Sequence, residues 1–135
     1  MRTVKLWMAF LLLIANAPVF LLAQSPGRAA SIDRPAHTFS IVARDPATGE
    51  MGKTIEEQTR FALMSLQSIL EEAGATLKDV VHTTVLLADP SDYSGMNAEY
   101  AKFFPTDPPP RSLLGVSMSP GIRIEIEVVA YVGKK

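Results

Sequence analysis

The sequence predicts an α+β domain in which two helices pack on one face of a small β-sheet. Three observations carry this. Residues 54–74 show a capped apolar pattern with helical period, and residues 79–89 and 122–132 are β-branched or alternate in polarity. The elements also follow one another as strand, helix, strand, helix, strand, strand. At 135 residues and 47% hydrophobic content, the chain has material for one domain with a core.

Residues 37–44, HTFSIVAR, have strand composition. DPATGE, 45–50, is a turn, with Asp45-Pro46 to initiate it and Gly49 to accept positive φ. In TIEEQTRFALMSLQSILEEAG, Thr54 and Glu57 form a capping box that satisfies backbone donors at the helix start. Ile55, Ala62, Leu63, Leu66, Ile69, Leu70 and Ala73 line one stripe, which is core packing, and Gly74 stops the helix. DVVHTTVLLAD, 79–89, is too short and β-branched for a helix, and Pro90 ends it. SDYSGMNAEYAKFF, 91–104, is the second helix, capped by Ser91 or Asp92, with Tyr93, Met96, Tyr100, Phe103 and Phe104 at helical spacing. Pro108–Pro110 stiffen the chain and bar further helix. SLLGVSM is a strand, Pro120-Gly121 a turn, and IRIEIEVVAYV the last strand. There Ile122, Ile124, Ile126 and Val128 face one way, and Arg123, Glu125, Glu127 and Tyr131 the other.

The composition removes several classes of function. A net charge of −1 without a lysine or arginine cluster leaves no footprint for nucleic acid. Without cysteine there is no disulfide, thiolate nucleophile or zinc–cysteine site. The two histidines, His37 and His82, lack ligand-spaced partners, so a metal site is not expected. His82, in mid-strand, reads as a surface or interface side chain rather than a general base. No phosphate loop or serine-nucleophile elbow occurs.

The first 24 residues are a different material. Arg2 and Lys5 precede an apolar run over 6–23, the pattern of a secretory signal. An uncleaved anchor, or a start codon placed too early, are the other readings of the same run. The division is then a signal or anchor at 1–24, a linker at 25–36 and a folded domain at 37–135. The signal reading implies export, to the periplasm or beyond, with membrane contact only through 1–24. Without a functional signal the protein stays in the cytoplasm.

Arg111, Glu125 and Glu127 remain as candidates for chemistry. An arginine fork grips a carboxylate through two parallel bonds, and a glutamate can move a proton or hold a water. Glu125 and Glu127 share a strand face about 7 Å apart, too far for one shared proton. From local sequence alone, Arg111 reads first as a strand-end residue in solvent. Glu125 and Glu127 read first as a solvated face balanced by Arg123.

Three pieces change this: EEAGATLKDVVHTTVLLAD, N-x-x-Y-x-x-F-F and P-x-R-S, followed by IEIEVVAYV. In this order and spacing, residues 45–132 resemble the RidA/YjgF family of enamine/imine deaminases. The resemblance implies a small mixed sheet with two helices on one face, of chorismate-mutase-like architecture. It also implies a homotrimer with ligand clefts between subunits. By the same resemblance, Arg111 binds the substrate carboxylate and Glu125 serves the water or proton step, while Asn97 lies near the pocket. Leu113 stands where the family often has cysteine, and Ser40 falls near a family glycine that lines the pocket. The implied reaction is hydrolysis of small 2-imino acids, such as 2-iminobutanoate and 2-iminopropanoate, to 2-oxo acids and ammonia, without a cofactor. Two family elements, G-P-Y and S-G-Q, are missing before the DPATGE turn, and the first hairpin is shortened. These departures, with the export signal, leave a second reading: a non-catalytic relative that binds a small metabolite or a partner protein.

Overall fold

The computed structural model describes residues 35–133. The signal or anchor at 1–24, nearly all of the linker, and any first strand of the shortened hairpin before residue 35 lie outside the described residues. Four strands and two helices alternate as β1 (Ala36–Val42), α1 (Ile55–Glu72), β2 (Val80–Leu87), α2 (Tyr93–Phe103), β3 (Arg111–Gly115) and β4 (Ile124–Tyr131). The sheet runs in the order β1-β4-β2-β3. β4 pairs antiparallel with both β1 and β2, whereas β3 lies parallel to β2. The sheet is therefore mixed, because α2 carries the chain across from β2 to β3.

Helix α1 begins as its residue pattern dictates. Thr54 is extended, its hydroxyl accepts the Glu57 N–H, and the Glu57 carboxylate accepts from the Lys53 N–H at 2.8 Å and from Thr54. Gly74 ends it with φ 75°, a left-handed conformation that a side chain would oppose. The stripe residues Leu63, Leu66 and Leu70 are fully buried against Val85, Leu87, Ile124, Ile126 and Val128. Both helices cover this one sheet face. They approach closely at Gly95, where an added Cβ would stand 2.5 Å from the Glu56 carboxylate and 2.7 Å from Ile55.

The strands differ from expectation at their ends. β1 stops at Val42, and beyond it Arg44 and Met51 form an isolated bridge across the turn. β3 starts one residue early, at Arg111, and ends at Gly115. The second helix is not capped by Ser91 or Asp92. Asp89 accepts the Ser91 N–H at 2.8 Å and opens a 3₁₀ turn, Pro90–Asp92, that leads into α2. Asp92 makes no cap bond. Its buried carboxylate takes the Arg123 guanidinium on two oxygens, from Nε at 2.9 Å and from Nη2. Two charge-assisted bonds outweigh one cap bond. Arg123 thus serves Asp92, and does not balance Glu125 and Glu127. β4 consequently begins at Ile124.

Gln58 fastens α1 to the sheet end. It is 1% exposed, donates to the carbonyls of Gly52 and Gly121 at 2.7 Å each, and accepts the Arg123 N–H at 2.8 Å.

Candidate functional site

Arg111 owes its place to the proline block and to β2. The Pro110 carbonyl accepts the Thr83 N–H at 3.0 Å, which opens the parallel ladder and sets Arg111 opposite Thr83. Thr83 is fully buried on the helix-covered face, so the Arg111 side chain leaves toward α2. There its Nη2 donates to the Asn97 Oδ1 at 2.8 Å, and its Nη1 lies 3.9 Å from the Met96 sulfur. Its Cζ sits over the Tyr100 ring, 4.5 Å from the centroid. Asn97 and Tyr100 are three residues apart on a helix, hence on one side of it.

The Tyr100 ring stacks on Phe104 at 4.7 Å, and its hydroxyl meets the Thr83 hydroxyl at 3.0 Å. Burial pushes the Tyr100 phenol above its ordinary range, so at neutral pH it stays protonated. Asn97, Met96 and Tyr100 are all neutral, and none of these contacts cancels the Arg111 charge. A cleft of about 440 Å³ opens beside the guanidinium, lined among others by Asn97, Tyr100, Phe104, Pro108 and Pro109. A half-buried cation at the wall of a cleft lined by both polar and apolar groups is an anion site, and its planar fork suits a carboxylate.

Glu125 and Ser40 form a second pair. The Ser40 hydroxyl donates to the Glu125 Oε1 at 2.5 Å. Glu125 lies between the buried Ile124 and Ile126 on β4, so its side chain projects from the face that the helices leave open. Its register partners are Val42 on β1 and Leu86 on β2. The fold therefore joins Arg111 with Asn97 and Ser40 with Glu125. It places the two pairs on opposite sheet faces, with β2 between their strands. Leu113, at 39% exposure, does not line the cleft. His82 faces the open side with its Nε2 3.4 Å from the Ser112 hydroxyl, and His37 is exposed on edge strand β1. Among the described residues no cluster of three histidines or carboxylates could hold a metal ion, and no helix is long and apolar enough to cross a membrane.

Tyr100 is the site residue to which sequence reading assigns no role: it stands as a member of an apolar stripe and of the N-x-x-Y element, whose three-residue spacing puts it on the same side of the helix as Asn97.

Comparison with known proteins places the chain in one family and fold. The family model described as Endoribonuclease L-PSP matches residues 32–132. A RutC family protein of Pyrococcus abyssi is 45% identical over 89 residues, covering 64% of this chain and 70% of its own length. The human 2-iminobutanoate/2-iminopropanoate deaminase is 35% identical over 119 residues, covering 82% of this chain and 87% of its own. Among solved structures, E. coli TdcF with bound serine superposes with a TM-score of 0.68 at 26% identity, over 77% of this chain and 85% of that one.

Proposed function

The chain belongs to the Endoribonuclease L-PSP family, and from that premise we propose that it is a deaminase of small, reactive 2-imino acids and their enamine tautomers. The observation that carries the proposal is the Arg111 guanidinium, presented to a cleft by neutral partners. The relatives named as 2-iminobutanoate/2-iminopropanoate deaminases support it, as does the serine held by a structural neighbour, a small amino acid with a carboxylate. The family description itself speaks of RNA cleavage. A net charge of −1 gives little of the phosphate attraction such a substrate calls for.

In this reading Arg111 grips the substrate carboxylate and fixes the adjacent imine carbon. Water adds to that carbon while Glu125 takes a proton from the water and returns it to the imine nitrogen, giving a carbinolamine. Glu125 then takes the hydroxyl proton and passes it to the amino group, so the carbon–nitrogen bond breaks as the carbonyl forms, and ammonia leaves a 2-oxo acid. An imine is already electrophilic, so orientation of one water supplies much of the acceleration needed. Arg111 and Glu125 stand on opposite faces of one chain's sheet, so a second copy would bring its Glu125 to the Arg111 cleft. A homotrimer with sites between copies provides this.

The test is imine hydrolysis by the full chain. An amino-acid oxidase generates 2-iminobutanoate, and semicarbazide traps what survives. Wild type should deplete the trapped imine and Arg111→Ala should not. No depletion by wild type retires the deaminase. It would favour the second reading, a non-catalytic relative binding a small carboxylate, for which the occupation of Glu125 by the Ser40 hydroxyl already speaks.

A further inference from the structure

We infer that Tyr100 is the positioning residue of the carboxylate anchor: its ring sets the plane of the Arg111 guanidinium, and its hydroxyl, bonded to Thr83, sets the ring. The inference rests on the reading of Arg111 as the group that binds a carboxylate. It assigns a role to a residue that touches no reacting atom.

A guanidinium binds a carboxylate through two parallel N–H···O bonds lying in its own plane. Whatever fixes that plane fixes the plane in which the carboxylate, and the carbon beside it, is presented. A free arginine side chain samples many rotamers and loses that freedom on binding. At Arg111 much of the loss is taken in advance. Asn97 holds one terminal nitrogen at 2.8 Å, and the Tyr100 face lies under the central carbon at 4.5 Å.

The ring is itself fixed from two sides. Phe104 stacks on it, and Thr83 meets its hydroxyl at 3.0 Å. Thr83 is also the register partner of Arg111, and its N–H binds the Pro110 carbonyl at 3.0 Å. A closed circuit results, from Arg111 to the Tyr100 ring, to Thr83, to the backbone at Pro110 and back to Arg111. The tether of the platform sits on the same strand pair that carries the arginine, so helix and strand cannot shift without turning the guanidinium.

The test uses the full chain and calorimetric titration with 2-oxobutanoate, a stable carboxylate of the product type, alongside thermal unfolding. Tyr100→Leu keeps an apolar group and loses the aromatic face. It should bind about tenfold more weakly than wild type. Tyr100→Phe keeps the face and loses only the tether, and should bind about threefold more weakly. A merely structural role would weaken binding in the two variants only in step with their unfolding temperatures, and that result overturns the inference.

If Tyr100→Leu fails to fold, Tyr100→Phe and Thr83→Val decide. Each cuts the tether from one end, so each should weaken 2-oxobutanoate about threefold and the double variant no more than either alone. Additive losses, or none, overturn the inference. Wild type that binds 2-oxobutanoate but leaves the imine intact retires the deaminase and leaves the role of Tyr100 standing. Wild type that does not bind 2-oxobutanoate overturns the inference itself.

Discussion

Arg111 and Tyr100 show how little local sequence says about a residue whose partners come from elsewhere. Tyr100 occupies a stripe position, is 4% exposed, and would pass for core packing but for the cation over its ring and the Thr83 hydroxyl bonded to its own. Its titration provides a prediction. Burial raises the phenol above its unfolded value of 10.0, so the unfolded chain releases this proton first as pH rises. The stability tied to Tyr100 is fully present below pH 10 and is lost as pH climbs through the raised folded value. Urea unfolding midpoints should therefore fall less between pH 8 and 11 in Tyr100→Phe than in wild type. At pH 8 the variant should be weaker by about 1 kcal/mol, from the lost bond to Thr83. An equal alkaline fall in both proteins would show that the burial of Tyr100 does not shape the profile. The stiff support before Arg111 was legible in its three prolines, whereas local sequence reads the side chain itself as a strand-end residue in solvent. Which atoms would surround it was not legible, since Thr83 and Asn97 lie 28 and 14 positions away.

The elements were legible wherever their signals are local. The Thr54–Glu57 capping box, the 3.6-residue stripe of α1, the stop at Gly74 and the alternation in β4 all stand as the residues predict. The helix α2 cap was misplaced because Asp92 had a competitor for its carboxylate 31 residues on, in Arg123, and no local pattern announces such a partner. Gln58 is a similar case. Its place in the helical register allows burial, yet its three bonds reach both the Gly52 turn and the start of β4. Replacement by leucine would leave two carbonyls and one N–H without their partner around a buried side chain. Gln58→Leu should lower stability by about 3 kcal/mol, seen as a lower urea midpoint with unchanged slope. The exposed Gln67→Leu on the same helix should stay within about 0.5 kcal/mol of wild type. Comparable losses at the two positions would mean that Gln58 does not fasten the helix as described.

At the scale of the whole molecule, the separation of Arg111 from Glu125 follows from parity. Alternation along β4 can be read from the sequence, but the face toward which Arg111 points depends on the register of β3 against β2. That register is set by the crossover through α2 and the Pro110 carbonyl, and no periodicity within either strand contains it. The consequence is testable in mixtures. If each working site takes its arginine from one copy and its glutamate from the next, Arg111→Ala and Glu125→Gln are each inactive alone but complementary together. When the two are unfolded, mixed in equal amounts and refolded, an interface works only where an Arg111-bearing copy meets a Glu125-bearing one. Random assembly into a ring makes this true of about a quarter of the interfaces, so imine hydrolysis should return to about a quarter of the wild-type rate. Mixing the folded variants without subunit exchange should return nothing. If refolded mixtures stay as inactive as their parents while native mass spectrometry shows mixed oligomers, the two residues do not meet across copies, and the water step needs another group than Glu125.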